Sequence, residues 1–134
     1  MVVVDGAGVP LGNYLESASP SEVKLIEPLL ERVVLGPGKM RRLIYDRGAD
    51  SDPLRRRLRE TRDLELICPH RRNRKRPKTQ DGRKLRRYRR RWKMERTFAW
   101  LGNYRRLVVR WERDLLMYQA FFNLACLLIV LGRL

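Results

Sequence analysis

A single acid stands among cations in the run Tyr88-Arg89-Arg90-Arg91-Trp92-Lys93-Met94-Glu95-Arg96. On an α-helix, positions 88, 91 and 95 fall within about 60° of arc, so Tyr88, Arg91 and Glu95 would share one face, flanked by Trp92 and Ala99. The simplest role for Glu95 is to relieve repulsion by pairing with Arg91, which is worth only a few tenths of a kcal/mol. A second acid changes the weighing. Asp46 closes the short β-type run at Arg42-Leu43-Ile44-Tyr45, where a loop begins, and ligand-binding residues of α/β sheets commonly sit there. A carboxylate at a strand end and another on a late helix could jointly hold a hard divalent cation, which takes oxygen ligands. Asp5 also ends an apolar run, but an acid before Gly6-Ala7-Gly8 is more simply a turn former. Cys68-Pro69-His70 brings together a thiol and the only imidazole, yet a zinc site wants four ligands, so a structural role is expected.

The charge balance names a class of partner. Lys and Arg number 31 against 15 Asp and Glu, a formal net charge of +16 on 134 residues. Nucleic-acid phosphate is the commonest polyanion that could neutralise this excess, with anionic lipid as the rival. Arginine predominates, and its planar fork matches phosphate oxygens bidentately, which favours phosphate. The densest stretch is His70-Arg71-Arg72-Asn73-Arg74-Lys75-Arg76-Pro77-Lys78-Thr79-Gln80-Asp81, which has almost nothing to bury and is expected as a solvated, mobile basic arm. Two cysteines, Cys68 and Cys126, with no metal-knuckle spacing fit a reducing cytoplasm. The first eight residues carry no secretory leader. They open directly on a buried-looking strand, as a truncated or frame-shifted reading frame would.

These residues need elements to place them. Val2–Val4, a Gly-rich turn at 5–8 and the run 9–15 predict a hairpin. Ser19-Pro20-Ser21-Glu22 starts a helix with apolar residues at helical spacing through Val33, kinked at Pro28 and stopped at Gly36-Pro37-Gly38. After the strand that ends at Asp46, Asp52-Pro53 suits the start of a helix running to about Thr61, and Leu64–Cys68 reads as a further strand. The order strand, strand, helix, strand, helix, strand is an α/β pattern. From Arg83 onward the chain reads as helix, broken between Gly102 and Trp111. The apolar run Leu115–Leu131 is marginal for a membrane span and contains Gln119 and Asn123, so it reads as a buried core helix. Trp92, Trp100 and Trp111 are expected in the core rather than as base-stacking platforms.

The segments then carry a resemblance. Tyr88, Arg91 and Glu95 at that spacing, with Phe98-Ala99-Trp100-Leu101 and Tyr104-Arg105-Arg106-Leu107, resemble the C-terminal signature of DDE-type transposases of the insertion sequence 5 and insertion sequence 4 group. Tyr45-Asp46-Arg47-Gly48-Ala49-Asp50-Ser51-Asp52 resembles that family's second-aspartate segment, and Val4-Asp5-Gly6-Ala7-Gly8-Val9-Pro10-Leu11 its central strand pair. The resemblance implies a ribonuclease H-like α/β core lacking its first strand (1–68), a basic loop (69–82) and C-terminal helices carrying the glutamate (83–134). It implies Asp46 and Glu95 as catalytic ligands of two Mg²⁺ or Mn²⁺ ions in DNA strand cleavage and strand transfer. Tyr88 and Arg91 would hold DNA phosphate beside the metals, with Arg71, Arg72, Arg74, Lys75, Arg76 and Lys78 farther out and Lys93, Arg105 and Arg106 as further contacts. Gly102 stands where the signature often has lysine. The family's first aspartate precedes the segment beginning at Val2, so a second transposase chain, made by frameshifting, would supply it. The alternatives are a non-enzymatic, basic DNA-binding remnant of a transposase and a small membrane-associated protein.

Overall fold

The structure, a computed structural model, describes residues 1–17, 19–35, 39–80 and 82–133. The stop expected at Gly36-Pro37-Gly38, and Asp81 in the basic segment, lie outside the described residues. The order is β1 (Val2–Val4), β2 (Pro10–Asn13), α1 (Glu22–Glu31), β3 (Arg42–Ile44), a 3₁₀ turn (Arg47–Ala49), α2 (Asp52–Arg62) and β4 (Glu65–Ile67). There follow α3 (Gly82–Leu85), a 3₁₀ segment (Arg86–Arg91), α4 (Trp92–Leu101), α5 (Arg105–Val108) and α6 (Leu115–Leu131). This is an α/β chain with a helical C-terminal half. The contacts divide it into two units, one of residues 1–20, 27–34 and 92–134, the other of residues 21–26 and 35–91.

In the first unit β1 and β2 pair antiparallel, Val2 opposite Asn13 and Val3 opposite Gly12, with a shift in register before Val4 meets Pro10. Pro10 has no N–H for the ladder, so a strand start beside an irregularity is where it fits. Val2 packs in a core with Leu101 of α4 and Phe122, Ala125, Cys126 and Ile129 of α6. Burial pushes the Cys126 thiol up to about 11, so it sits there as a small apolar group. Asp114 caps α6 by accepting from the N–H of Leu116 at 2.9 Å.

In the second unit β3 and β4 run parallel, Leu43 beside Leu66 and Ile44 beside Ile67. Two parallel strands need a crossover, and α2 supplies it. Ser51 Oγ caps its start, Pro53 occupies its first turn, and Asp63 closes it in the left-handed region with φ 47°. Leu54 and Leu58, four residues apart and fully buried, form its apolar stripe, and Leu64, Leu66 and Ile67 at and beside β4 are buried too.

Two sequence expectations change. α1 contains Pro28 as expected but ends at Glu31, short of the Val33 to which its apolar spacing points. The stretch from Arg83 is less regular than a single helix: Arg86–Arg91 is 3₁₀ and 109–114 is non-helical. Five of the six residues 86–91 are arginine. Like charges at helical spacing repel, and no apolar stripe is present to reward an α-helix. The 3.6-residue period on which a common face for Tyr88, Arg91 and Glu95 rests is therefore interrupted at Trp92.

Candidate nucleic-acid interface and acidic residues

Asp46 stands just beyond β3, as its position at the end of an apolar run predicts. Its Oδ1 accepts from the N–H of Gly48 at 2.7 Å and caps the 3₁₀ turn. Its Oδ2 lies 3.8 Å from Nη2 of Arg91. Arg91 Nη1 donates to the Tyr88 hydroxyl at 2.9 Å, and the guanidinium lies 5.9 Å from that ring's centroid. A three-residue period sets i and i+3 above one another, which places this pair together. Tyr88, Arg91 and Asp46 thus form one cluster. Glu22, the first residue of α1, joins it: any side chain at Gly48 would collide with both the Glu22 and Asp46 carboxylates. Burial first, then the charges of Glu22 and Asp46, pushes the Tyr45 phenol far above its usual range. Glu22 offers no sequence signal beyond an acid at a helix start, and the sequence reading misses it.

Glu95 lies on α4, in the other unit, and is exposed. Among the described residues no side chain pairs with it. Its neighbours on α4 hold the β1–β2 turn: Thr97 Oγ1 donates to the Gly8 carbonyl at 2.6 Å, Lys93 Nζ donates to the Gly6 carbonyl and Arg96 Nη2 to that of Ala7. Asp5 completes this turn, its Oδ1 accepting from the N–H groups of Ala7 at 2.7 Å and Val9 at 2.8 Å. The turn-forming reading of Asp5 accounts for its carboxylate. Arg96 lies between the rings of Trp92 and Trp100, 5.0 and 4.9 Å from their centroids.

The basic segment is not a free arm. Asp50, only 2% exposed, receives Arg55 at 2.7 Å, His70 Nδ1 at 2.9 Å and Arg74 at 3.3 Å. It also accepts the backbone N–H of Arg71 at 2.7 Å. Asp52 receives Arg74 at 2.8 Å and Arg76 at 3.7 Å. Burial alone would raise the Asp50 carboxyl, but the Arg71 N–H, His70 and Arg55 outweigh it and hold it well below the usual carboxylate range. Cys68 Sγ meets Arg55 Nη2 at 3.0 Å, so Cys68 and His70 are structural groups with different partners. The cations fall into two classes. Arg74 is 11% exposed and faces carboxylates, and Arg71 donates to the Gly48 carbonyl at 2.9 Å. Arg72, Lys75, Arg76 and Lys78 are exposed. A cleft of about 670 Å³ lies beside them, lined by Ser51, Asp52, Asn73, Arg74, Lys75 and Arg76.

Of the remaining expected contacts, Arg105 is exposed, whereas Arg106 pairs with Glu112 at 2.7 Å and covers the Phe121 ring at 4.6 Å. Trp100 packs at the edge of the core, but Trp92 and Trp111 are 52% and 67% exposed, against the expectation of burial. Thr97 and Leu101 take the buried face of α4, and the Arg96 guanidinium lies against the Trp92 ring.

The described residues include no group of three or more His, Cys, Asp or Glu side chains able to hold a metal ion. Asp46 has Arg91 for a counter-charge. No helix of the described residues is long and apolar enough to cross a membrane.

The sequence profile of the Transposase DDE domain matches residues 1–130. A Burkholderia cepacia protein named as the transposase for insertion sequence element IS402 is 38% identical over 135 residues, covering 96% of this chain and 60% of the relative. The chain therefore spans about 60% of the length of the curated relative it matches. No solved structure matches it.

Proposed function

The chain belongs to the transposase DDE domain family, and on that premise we propose that it is a DNA-binding part of a transposase, a basic piece that grips phosphates and carries Asp46 and Glu95 without completing a catalytic site by itself. The observation that carries this reading is a net charge of +16 on a chain whose described residues gather no group of three or more His, Cys, Asp or Glu. Residues 1–68 are then a partial ribonuclease H-like core, 69–82 the basic loop and 83–134 the helical part bearing Glu95. Arg72, Lys75, Arg76, Lys78 and Arg105 contact the backbone of element ends and target DNA, positioning the duplex without reading its sequence. Tyr88 and Arg91 are phosphate contacts beside Asp46, and Arg71, Arg74, Lys93 and Arg106 act chiefly by shaping the surface.

A second reading is favoured by the free Glu95 carboxylate and the strand-end placement of Asp46. DDE transposases use divalent metal ions, and Mg²⁺ or Mn²⁺ would activate phosphodiester oxygens in strand cleavage and strand transfer once another transposase chain supplies the first aspartate. Asp46 and Glu95 would be this chain's ligands.

The two readings part on metal dependence. Anisotropy with labelled duplex DNA should show tight binding that weakens steeply with salt, with no nicking by the chain alone in Mg²⁺. Failure to bind duplex at low salt would remove the proposal. Mg²⁺-dependent nicking that appears when a transposase chain bearing the first aspartate is added, and that Glu95→Gln abolishes with affinity kept, would replace the first reading by the second.

A further inference from the structure

The non-helical segment 109–114, between α5 and α6, holds an indole out in solvent: Trp111 is 67% exposed. So large an apolar ring is ordinarily covered. The other two indoles are met by guanidinium groups, Trp92 by Arg96 and Trp100 by Arg96 and Arg133. Two arginines that precede Trp111 cover different rings, Arg106 that of Phe121 at 4.6 Å and Arg110 that of Tyr118 at 5.4 Å.

The segment that presents this indole is pinned on both sides. Arg106 Nη1 donates to Glu112 Oε1 at 2.7 Å, and Arg110 Nε donates to the Glu112 carbonyl at 3.1 Å. The Tyr118 hydroxyl of α6 donates to the Leu107 carbonyl of α5 at 3.0 Å, and Asp114 caps α6. A side chain carried on a backbone fixed in this way loses little freedom when it meets a flat ligand.

Charge selects that ligand. Glu112 turns inward, its side chain 10% exposed and paired with Arg106, and Asp114 is committed to the cap. Arg105, Arg110 and Arg113 are exposed. An aromatic face among outward cations suits a polyanion that itself carries π faces, which describes nucleic acid. Bases inside a duplex already stack on their neighbours, so a face is available without an unstacking cost only where a base is unpaired. We propose that Trp111 is a stacking platform for an unpaired nucleobase of single-stranded DNA, with Arg110 and Arg113 as contacts to the phosphates beside it. Every base has a π face, so the platform is indifferent to sequence. The inference rests on the DNA-binding reading and adds a single-stranded ligand to it.

Two labelled duplexes test it, one with an oligothymidine overhang and one with an overhang of equal length made of abasic sites, which keeps the phosphates and removes the bases. Anisotropy with the full chain should show the thymidine overhang bound on the order of tenfold more tightly. Trp111→Ala should abolish that difference while leaving both the affinity for the abasic DNA and the urea midpoint unchanged, and Trp111→Phe should keep most of it. Oligothymidine should also quench indole emission, and quench it less in Trp111→Phe. Equal affinity of the wild-type chain for the two overhangs, or a preference that survives Trp111→Ala, overturns the proposal and leaves the DNA-binding reading standing; failure to bind either DNA removes both. Binding to phosphatidylcholine vesicles that Trp111→Ala abolishes would give the indole to a lipid surface and overturn the proposal as well.

Discussion

Nδ1 of His70 lies 2.9 Å from Oδ1 of Asp50, and Nε2 of the same ring accepts the backbone N–H of Thr79 at 3.1 Å. Acceptance at Nε2 leaves the ring proton on Nδ1, so one neutral imidazole ties the far end of the basic segment to the loop after β3. The segment is thereby a shaped surface whose outward cations are presented together.

Acid should undo this surface. Asp50 is held below its ordinary carboxylate value, so the stability it contributes is complete above pH ~4 and is lost as the pH falls through the folded value. Protection of the amides of residues 71–79 relative to their intrinsic exchange should fall on acidification, and Asp50→Asn should lose it already at neutral pH. Protection that persists in the variant would refute the tie.

Gly8 has φ 83°, and a Cβ there would meet Thr97 Oγ1 at 3.1 Å and the Lys93 carbonyl at 3.2 Å. Gly8→Ala combines backbone strain with a crowded contact to α4 and should cost about 1–3 kcal/mol in chemical denaturation. Gly6→Ala, with nothing within 4 Å of the added atom, is the control and should be near neutral.

Leu58 of α2 is fully buried. Leu58→Ala should destabilise the protein by about 2–5 kcal/mol, read from the urea midpoint with an unchanged slope.

Arg72, Lys75, Arg76 and Lys78 replaced together by Gln should lower the slope of log affinity against log salt by about 3–4 if each neutralises one phosphate. Arg74→Gln should instead raise amide exchange across the segment and weaken DNA binding through lost shape. Equal salt slopes in the two variants would erase the distinction between outward and inward cations.

Elements whose causes are local could be read before folding. The hairpin at Val2–Asn13, the Asp52-Pro53 helix start and the placement of Asp46 after an apolar run all follow from turn residues and alternation over a few positions. The capture of the basic segment depends on Asp50 and Asp52 meeting Arg74 more than twenty residues later, and no period connects them. Charge composition alone makes residues 70–80 resemble a solvated arm, because it is blind to the two carboxylates, Asp50 and Asp52, supplied from elsewhere. The 3₁₀ form of Arg86–Arg91 is likewise hidden, since Tyr88, Arg91 and Glu95 fit an α period as spacing and only the absence of an apolar stripe argues against it. Trp92 misleads for a related reason: indole area predicts burial, whereas Arg96 lies against the ring at the surface.

The parallel pairing of β3 with β4 has a consequence for how this chain acquires its structure. A hairpin such as β1–β2 can zip from its own turn, but Arg42 cannot find Glu65 until the intervening residues have wound into α2 and closed a loop of about twenty residues, an entropic cost met before any ladder bond forms. The Ser51 cap and the left-handed Asp63 stop therefore bear on timing as well as on stability. Substitutions there should slow refolding of the second unit, leaving the β3 edge open to pairing with other chains for longer.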